Sequence, residues 1–407
     1  MTATILYLTR NGLLEPLGQS QVLPYLRGLA RDWRIILVTR EKEADWTDAR
    51  AVTEARAECE ALGIDWRPRP FRPHPRYIGP VRDILVMTGE VLRAARGEGV
   101  RLVHARSYIP AAVAWAVWRL TGTPFIFDMR ALWPEELVVA GRLRRGSLLH
   151  RAIMAIERAC LRDAAAIVSL TQAAVEHLRE YEPRALASKP VVVIPTCADL
   201  KRFTPRHAPI EGARVHGCIG TILSGWFRAD WLATWFAGVA GEDADALFEI
   251  VTRDDPARVR AAVDPLGALG QRLSIGPRHP REMPDAIRGH HVSVMFYAGG
   301  EISELGRAPT RMAEALGSGL PVVANEGVGD VARILREHRV GILMEGPEPA
   351  KVQPAMRALD KLLADPDLAA RCRAAADALF SLETGTESYR ALYQGILTSP
   401  TDRELGF

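Results

Sequence analysis

Between Gly306 and Asn325 the chain reads GRAPTRMAEALGSGLPVVAN, a run of residue types suited to holding an anion and a sugar. Pro309 near a first helical position, a glycine stop at Gly319 and a β-branched run from Pro321 predict a loop, a short helix and a buried strand. A helix start leaves N–H groups unpaired and carries partial positive charge, so the backbone at Pro309 and Thr310 favours a phosphate. Arg311 adds a guanidinium fork that matches phosphate oxygens. Glu314 lies about one turn further in, and helical side chains lean back toward the N-terminus. A carboxylate there can grip sugar hydroxyls beside a bound diphosphate. The alternative is an ordinary α/β unit with a solvated Glu314.

Three other places hold residues able to do chemistry. After a first strand comes NGLLEPLGQSQVLP, residues 11–24, in which Gly18 opens a helix bearing Gln19, Ser20 and Gln21. The Gly-x-Gly-x-x-Gly fingerprint of a dinucleotide site is absent from this turn, and Gly18 reads as a ligand-approaching glycine or a plain turn. His104 and Arg106 end one strand and Asp128 and Arg130 follow another, at the ends where ligands collect in α/β sheets. Asp128 and Arg130 could equally be a buried structural pair. Finally, GCIGTILSGWFRAD, residues 217–230, reads as strand, glycine turn and helix, with Gly220 and Thr221 in the turn and Arg228 the nearby cation. The 10 histidines do not fall at metal-ligand spacing, and no metal is expected.

Taken together these segments resemble glycosyltransferase family 4, retaining sugar transferases with the GT-B fold. Glu314-Ala315 through Val323 matches the family's donor helix and following strand, and 193–205 (VIPTCADLKRFTP) matches its interdomain segment. Residues 156–171, a Glu-Arg helix, small-residue turn and strand, are also similar, and LEPLGQSQVLPYL is close to a bacterial subgroup associated with surface polysaccharide assembly. The resemblance implies that Glu314 holds the ribose, that Gly18 lies under the donor diphosphate, and that Gly220, Thr221, Arg228, Pro309, Thr310 and Arg311 surround its phosphates. It also implies that His104 or Arg106 lines the sugar pocket and that Asp128 and Arg130 line the acceptor side. Two departures stand out. The family's first glutamate, eight positions before Glu314, is Gly306 here, and the usual lysine after the strand at 215–219 is missing. The implied activity is transfer of a sugar from a nucleotide-sugar donor to a glycan or lipid-diphosphate-linked acceptor, with the nucleotide sugar a co-substrate and no cofactor. The alternatives are a catalytically silent nucleotide-sugar-binding subunit and a non-hydrolysing nucleotide-sugar epimerase. A nicotinamide dehydrogenase is disfavoured by the missing fingerprint.

These residues need two α/β scaffolds to position them. At 407 residues, 48% hydrophobic and 25% charged, the chain has material for at least two soluble cores. Strands are expected at 5–9, 35–39, 102–104, 124–127, 166–170 and 190–194, then at 215–219, 247–251, 272–275, 291–296, 321–324 and 341–344. Helical patterns include 19–31, 110–120, 350–364, 368–379 and 386–398. This alternation predicts two doubly wound, Rossmann-like domains facing across a cleft, the GT-B architecture. The expected bounds are 1–205 for the acceptor-side domain and 206–383 for the nucleotide-sugar domain. Residues 384–407 would form a helix and tail packing back on the first domain, and 205–212 a linker.

Five scattered cysteines and no basic leader or ~20-residue apolar run suggest a protein of the cytoplasm. Residues 1–205 carry 30 Lys and Arg against 22 Asp and Glu, whereas 206–407 carry 22 against 27. Arginines 67, 69, 72 and 76, and 142, 144 and 145, lie near apolar stretches such as Leu148-Leu149, which fits a peripheral contact with an anionic membrane or a solubilising face. Nucleic acid is not expected, because no zinc-finger spacing or aromatic-basic RNA motif is present.

Overall fold

The computed structural model describes residues 3–71, 78–206 and 212–398. Arg72 and Arg76 of the basic cluster, and His207–Glu211 of the expected linker, lie outside them. The chain forms two compact units, one made of Met1–Ile194 with Leu382–Phe407 and the other of Pro195–Ser381.

The first unit is built on seven parallel strands: β1 (Thr4–Thr9), β2 (Arg34–Glu41), β3 (Ile64–Pro70), β4 (Val100–Arg106), β5 (Phe125–Asp128), β6 (Ala166–Ser169) and β7 (Val191–Val193). Their order is β3-β2-β1-β4-β5-β6-β7. Every residue of β1, β5 and β6 is buried, as expected of parallel strands with helices on both faces. The chain steps outward from β1 to β3, then returns to lay β4 beside β1. Thr9 pairs with Arg106, so these two strands end level and open a crevice at the reversal.

The second unit repeats the plan with β8 (Val215–Ile219), β9 (Leu247–Val251), β10 (Leu273–Gly276), β11 (Val292–Val294), β12 (Val322–Ala324) and β13 (Gly341–Leu343), in the order β10-β9-β8-β11-β12-β13. All neighbours are parallel, and the order reverses between β8 and β11.

Twelve of these thirteen strands stand where the hydrophobic runs placed them. The exception is β3, whose sequence IDWRPRP carries two prolines and three charges. It survives because it is an edge strand, where a missing N–H costs no ladder bond. Its charges are paired within the unit: Arg67 reaches Asp65 at 2.6 Å and also Glu98, and Arg69 reaches Glu90 at 2.6 Å. Those two arginines are therefore not a free basic surface. The helix expected over 19–31 is split into Pro16–Gln21 and Leu23–Leu29, with Val22 at φ −117° between them and Pro24 in the first turn of the second.

The helix Leu382–Thr398 completes the first unit. Thr386 lies against Gly28 so closely that a Cβ on that glycine would come within 2.4 Å of the threonine methyl. Arg390 donates to the Gly28 carbonyl at 2.9 Å and to Asp32 at 2.7 Å. Among the described residues no helix is long and apolar enough to cross a membrane.

Candidate functional site

At the reversal of the first sheet, the loop after β1 is organised by carboxylates. Leu13 N–H and Leu14 N–H donate to Glu41 at 2.8 and 3.1 Å, and Gly12 N–H donates to Glu15 at 3.0 Å. These acids occupy the backbone donors that a phosphate would use. Gly18 backs the same loop: a Cβ there would lie 2.2 Å from the Gly12 carbonyl oxygen and 2.5 Å from that of Leu13. The structure thus places Gly18 in a close backbone contact, buried under the loop.

β4 and β5 bring His104, Arg106, Asp128 and Arg130 together around one carboxylate. His104 Nε2 lies 3.1 Å from Asp128 Oδ2, and Arg130 and Arg106 approach the carboxylate at 3.5 and 3.8 Å. Two tyrosines from Leu382–Thr398 close the group. Tyr389 donates its hydroxyl to Asp128 at 3.1 Å, and the Tyr393 hydroxyl lies 2.6 Å from His104 Nδ1. Burial pushes the Asp128 carboxyl up, but Arg130, His104 and Arg106 override it and hold it well below the usual range. Burial lowers His104 against the pull of Asp128, so the ring is neutral near pH 7. With an ionised acceptor at Nε2, the proton belongs there, and Nδ1 accepts from Tyr393. Asp128 and His104 expose no side-chain area, so in this arrangement the network binds the last helix to the sheet. This is the buried-pair reading of Asp128 and Arg130, with His104 drawn in.

Beside the network, at the ends of β1, β2 and β4, lies a pocket of about 320 Å³ lined by Arg10, Asn11, Glu15, Arg40, Lys42, Phe71, Ser107–Pro110 and Trp133. Of these the sequence reading had singled out none as a site residue. Beneath Tyr108 sits Glu157, a buried acid that burial pushes up to about 7.

In the second unit the turn after β8 contains Gly220 at φ +147°, and its N–H donates to the Val251 carbonyl at 3.1 Å. The next free donors, Ile222 and Leu223 N–H, are taken by Asp254 at 2.6 and 2.9 Å. Thr221 is exposed. Arg228 precedes the helix Ala229–Glu242 and pairs with Asp230 at 2.8 Å, its guanidinium 5.6 Å from the Trp231 ring centre.

The helix Thr310–Gly317 follows Pro309, which holds the N-cap position with no side-chain cap. Glu314 is buried and bonded to Arg311 one turn before it. Burial raises the Glu314 pKa and Arg311 opposes the shift. Glu304, in the 3₁₀ turn Ile302–Gly306, is also buried and held by Arg307, with one bond of 2.8 Å. Arg307 in turn lies 5.6 Å from the Trp226 ring centre and 5.8 Å from that of Tyr297. It therefore ties the turn after β8 to the start of the donor-type helix. Arg307, Trp226, Tyr297 and Asp254 were not picked out in the sequence, because each lies outside the residues that the family pattern names.

Among the described residues no three His, Cys, Asp or Glu side chains are grouped to hold a metal. The two Asp-x-Asp triplets are local turns: Asp243 accepts from Asp245 N–H at 3.1 Å, and Asp365 from Asp367 N–H at 2.9 Å.

With two doubly wound units and candidate residues at both reversals, the chain can be set beside known proteins. Residues 19–197 match the family described as Glycosyl transferase 4-like domain. Among curated proteins none matches the sequence. Sucrose-phosphate synthase from Thermosynechococcus elongatus superposes at a TM-score of 0.67, with 17% identity over 98% of this chain and 100% of that one. Anabaena HepE, solved with UDP-glucose, gives 0.68 at 16% identity over 96% of this chain and 99% of that one. The N-terminal domain of Candida albicans trehalose-6-phosphate phosphatase gives 0.69 at 11% identity, covering 97% of each. The fold is that of the GT-B glycosyltransferases, a two-domain α/β architecture. The family match covers residues 19–197, less than half of the chain, whereas the fold is shared over nearly all of it.

Proposed function

We propose that the protein is a retaining glycosyltransferase that moves a sugar from a nucleotide-sugar donor to a glycan or lipid-linked acceptor in polysaccharide or glycoconjugate synthesis. The observation that carries this reading is the match of residues 19–197 to the transferase family, joined in the second unit to a buried Glu314 beneath Arg311. The donor class is a nucleotide sugar, in keeping with HepE, which is described with UDP and UDP-glucose, and the second unit is assigned to hold it. Glu314 takes the ribose hydroxyls. Arg311, the open first turn of Thr310–Gly317 and, once drawn from Asp230, Arg228 stabilise the leaving diphosphate. No carboxylate is assigned as nucleophile. His104, Arg106, Asp128 and Arg130 act by positioning β4, β5 and the last helix. The site of action is the cytoplasm or the inner membrane surface, which the exposed Leu148, Leu149, Arg142 and Arg144 would contact.

A silent nucleotide-sugar-binding protein is the second reading. It is favoured by Gly306 in the first-glutamate position, and by Glu15, Glu41 and Asp254 on the backbone donors of both glycine turns.

Thermal-shift binding against UDP-, GDP-, ADP- and CMP-sugars, followed by transfer and hydrolysis assays with the donor that binds, tests both. At ligand concentrations about 100-fold above Kd the native state gains about 2.7 kcal/mol, a visible shift. Glu314→Ala should abolish the shift for the true donor. Retained binding in that variant refutes the donor site, and binding without transfer or hydrolysis selects the silent reading.

A further inference from the structure

The helix Thr310–Gly317 is held at its far end as well as at its start. The backbone N–H groups of Ser318, Gly319 and Leu320 donate to the carbonyls of Glu314, Leu316 and Ala315 at 2.9–3.0 Å. The carbonyl of Gly317, which ends the helix, accepts instead from Arg373 Nη1 at 3.3 Å. The same Nη1 donates to the Leu200 and Phe203 carbonyls at 3.0 and 2.9 Å. Arg373 stands on the helix Leu368–Phe380, where Asp377, one turn later, accepts from its Nε at 2.9 Å and so aims the guanidinium. One half-buried cation thus gathers three carbonyls from two segments, and bonds from a charged donor are among the stronger kind.

The contact it holds is close. A Cβ on Gly317 would lie 2.6 Å from a Leu200 methyl, so the helix end meets this segment at backbone distance. Leu200, Phe203, Ala315, Leu316, Cys372 and Ala376 share one buried cluster. The segment itself is a turn, in which Arg202 N–H and Phe203 N–H both donate to the Asp199 carbonyl, at 3.0 and 3.2 Å. Its Arg202 side chain reaches the Pro280 carbonyl at 2.9 Å. Burial raises the Glu314 pKa, and the cations that oppose the rise are Arg311 and, from this turn, Arg202. Gly317 lies about 10 Å along the helix axis from Thr310, so Arg373 works at the opposite end from the ligand-facing turn.

We propose that Arg373 is a positioning residue for donor binding: by holding the last turn of Thr310–Gly317 against residues 199–203, it fixes where Glu314 stands between Arg311 and Arg202, without touching the donor. This rests on the reading of Glu314 as the ribose grip.

The test is calorimetric titration of the full chain with UDP-glucose across a pH series, replaced by the GDP-, ADP- or CMP-sugar that binds if UDP-glucose does not. Affinity should fall as pH drops through the Glu314 pKa, since an ionised carboxylate is the stronger acceptor for ribose hydroxyls. Arg373→Gln should weaken binding about tenfold at neutral pH, the scale expected when a supporting contact is lost. It should also move the acid limb to higher pH, because Glu314 then loses part of the Arg202 charge. Arg202→Gln should move the limb the same way, and the double variant no further than Arg373→Gln alone. Wild-type affinity in Arg373→Gln overturns the proposal. So does a weaker affinity with an unmoved limb, which marks a general loosening, or fully additive shifts in the double variant. If Arg373→Gln does not fold, Arg373→Lys decides. Its single point charge cannot span Asp377 and three carbonyls as the fork does, so both effects should persist at reduced size, and wild-type behaviour in both overturns the proposal. A wild type that binds no nucleotide sugar sinks the donor reading along with this role. A wild type that binds while Arg373→Gln binds equally well sinks this role alone.

Discussion

The two sheet reversals use similar residues under opposite conditions. At the first, Asp128, His104, Arg106 and Arg130 are sealed beneath Tyr389 and Tyr393. At the second, Glu314 is buried but its partner Arg311 keeps 36% of its side chain exposed. The carboxylate is buried in both places, and the difference lies in whether its arginine partner reaches solvent. What covers Asp128 comes from 261 positions along the chain. Local sequence carries no trace of that cover.

The largest effect expected from breaking this comparison is that of Asp128→Ala. It strands Arg106 and Arg130 in the interior, and such losses cost about 3–5 kcal/mol. Urea denaturation should show the loss, whereas Glu314→Ala should cost far less stability and act on binding. If Asp128→Ala unfolds like wild type yet abolishes transfer, the contrast is inverted and Asp128 belongs with the reacting atoms. The Asp128 contribution also has a pH sign. Its folded pKa is depressed, so the stabilisation is present above the unfolded value and is lost as pH falls toward the folded one.

Glu157 sharpens the point from the other side, because it is buried with desolvation dominating and its pKa rises from 4.5 to about 7. Its sign is opposite. As pH climbs between those values, the unfolded chain ionises while the native one stays protonated, and stability falls by up to about 3 kcal/mol. Glu157→Gln should remove that slope, seen as a thermal midpoint difference that grows from pH 4.5 to 7 and is constant above. A wild-type midpoint flat over this range would count against a neutral buried Glu157.

Gly18→Ala should destabilise by about 1–3 kcal/mol through the clash with the 12–13 carbonyls. Unchanged stability with lost donor binding would instead return Gly18 to the ligand. Arg228→Gln should change stability by no more than about 0.5 kcal/mol, as its pair with Asp230 is exposed. If it also leaves nucleotide-sugar affinity unchanged, Arg228 drops out of the donor site and Arg311 and the helix start carry the phosphate charge.

Much of the fold was legible because parallel strands buried on both faces must be written in apolar runs, as at 5–9, 166–170 and 321–324. β3 escaped because an edge strand is free of that demand, and its Arg67 and Arg69 read as a patch for an outside anion until Glu98 and Glu90 were seen beside them. The donor-type helix was legible from Pro309, Glu314 and Gly319, whose roles are local. Arg10, Lys42, Ser107 and Trp133 were not, since a pocket assembled from five separate segments has no spacing to recognise.

By itself, then, the sequence determined two α/β halves, the helix that presents Arg311 and Glu314, and the two departures from the family at Gly306 and after β8, because all of these depend on periodicity or short-range order. Only the tertiary structure decided which acids and cations meet. It put Glu41 and Asp254 on the turn donors, sealed Asp128 beneath the last helix and set Arg10 against the Phe71 ring, because the fate of a charge depends on what the rest of the chain brings within a few ångströms of it.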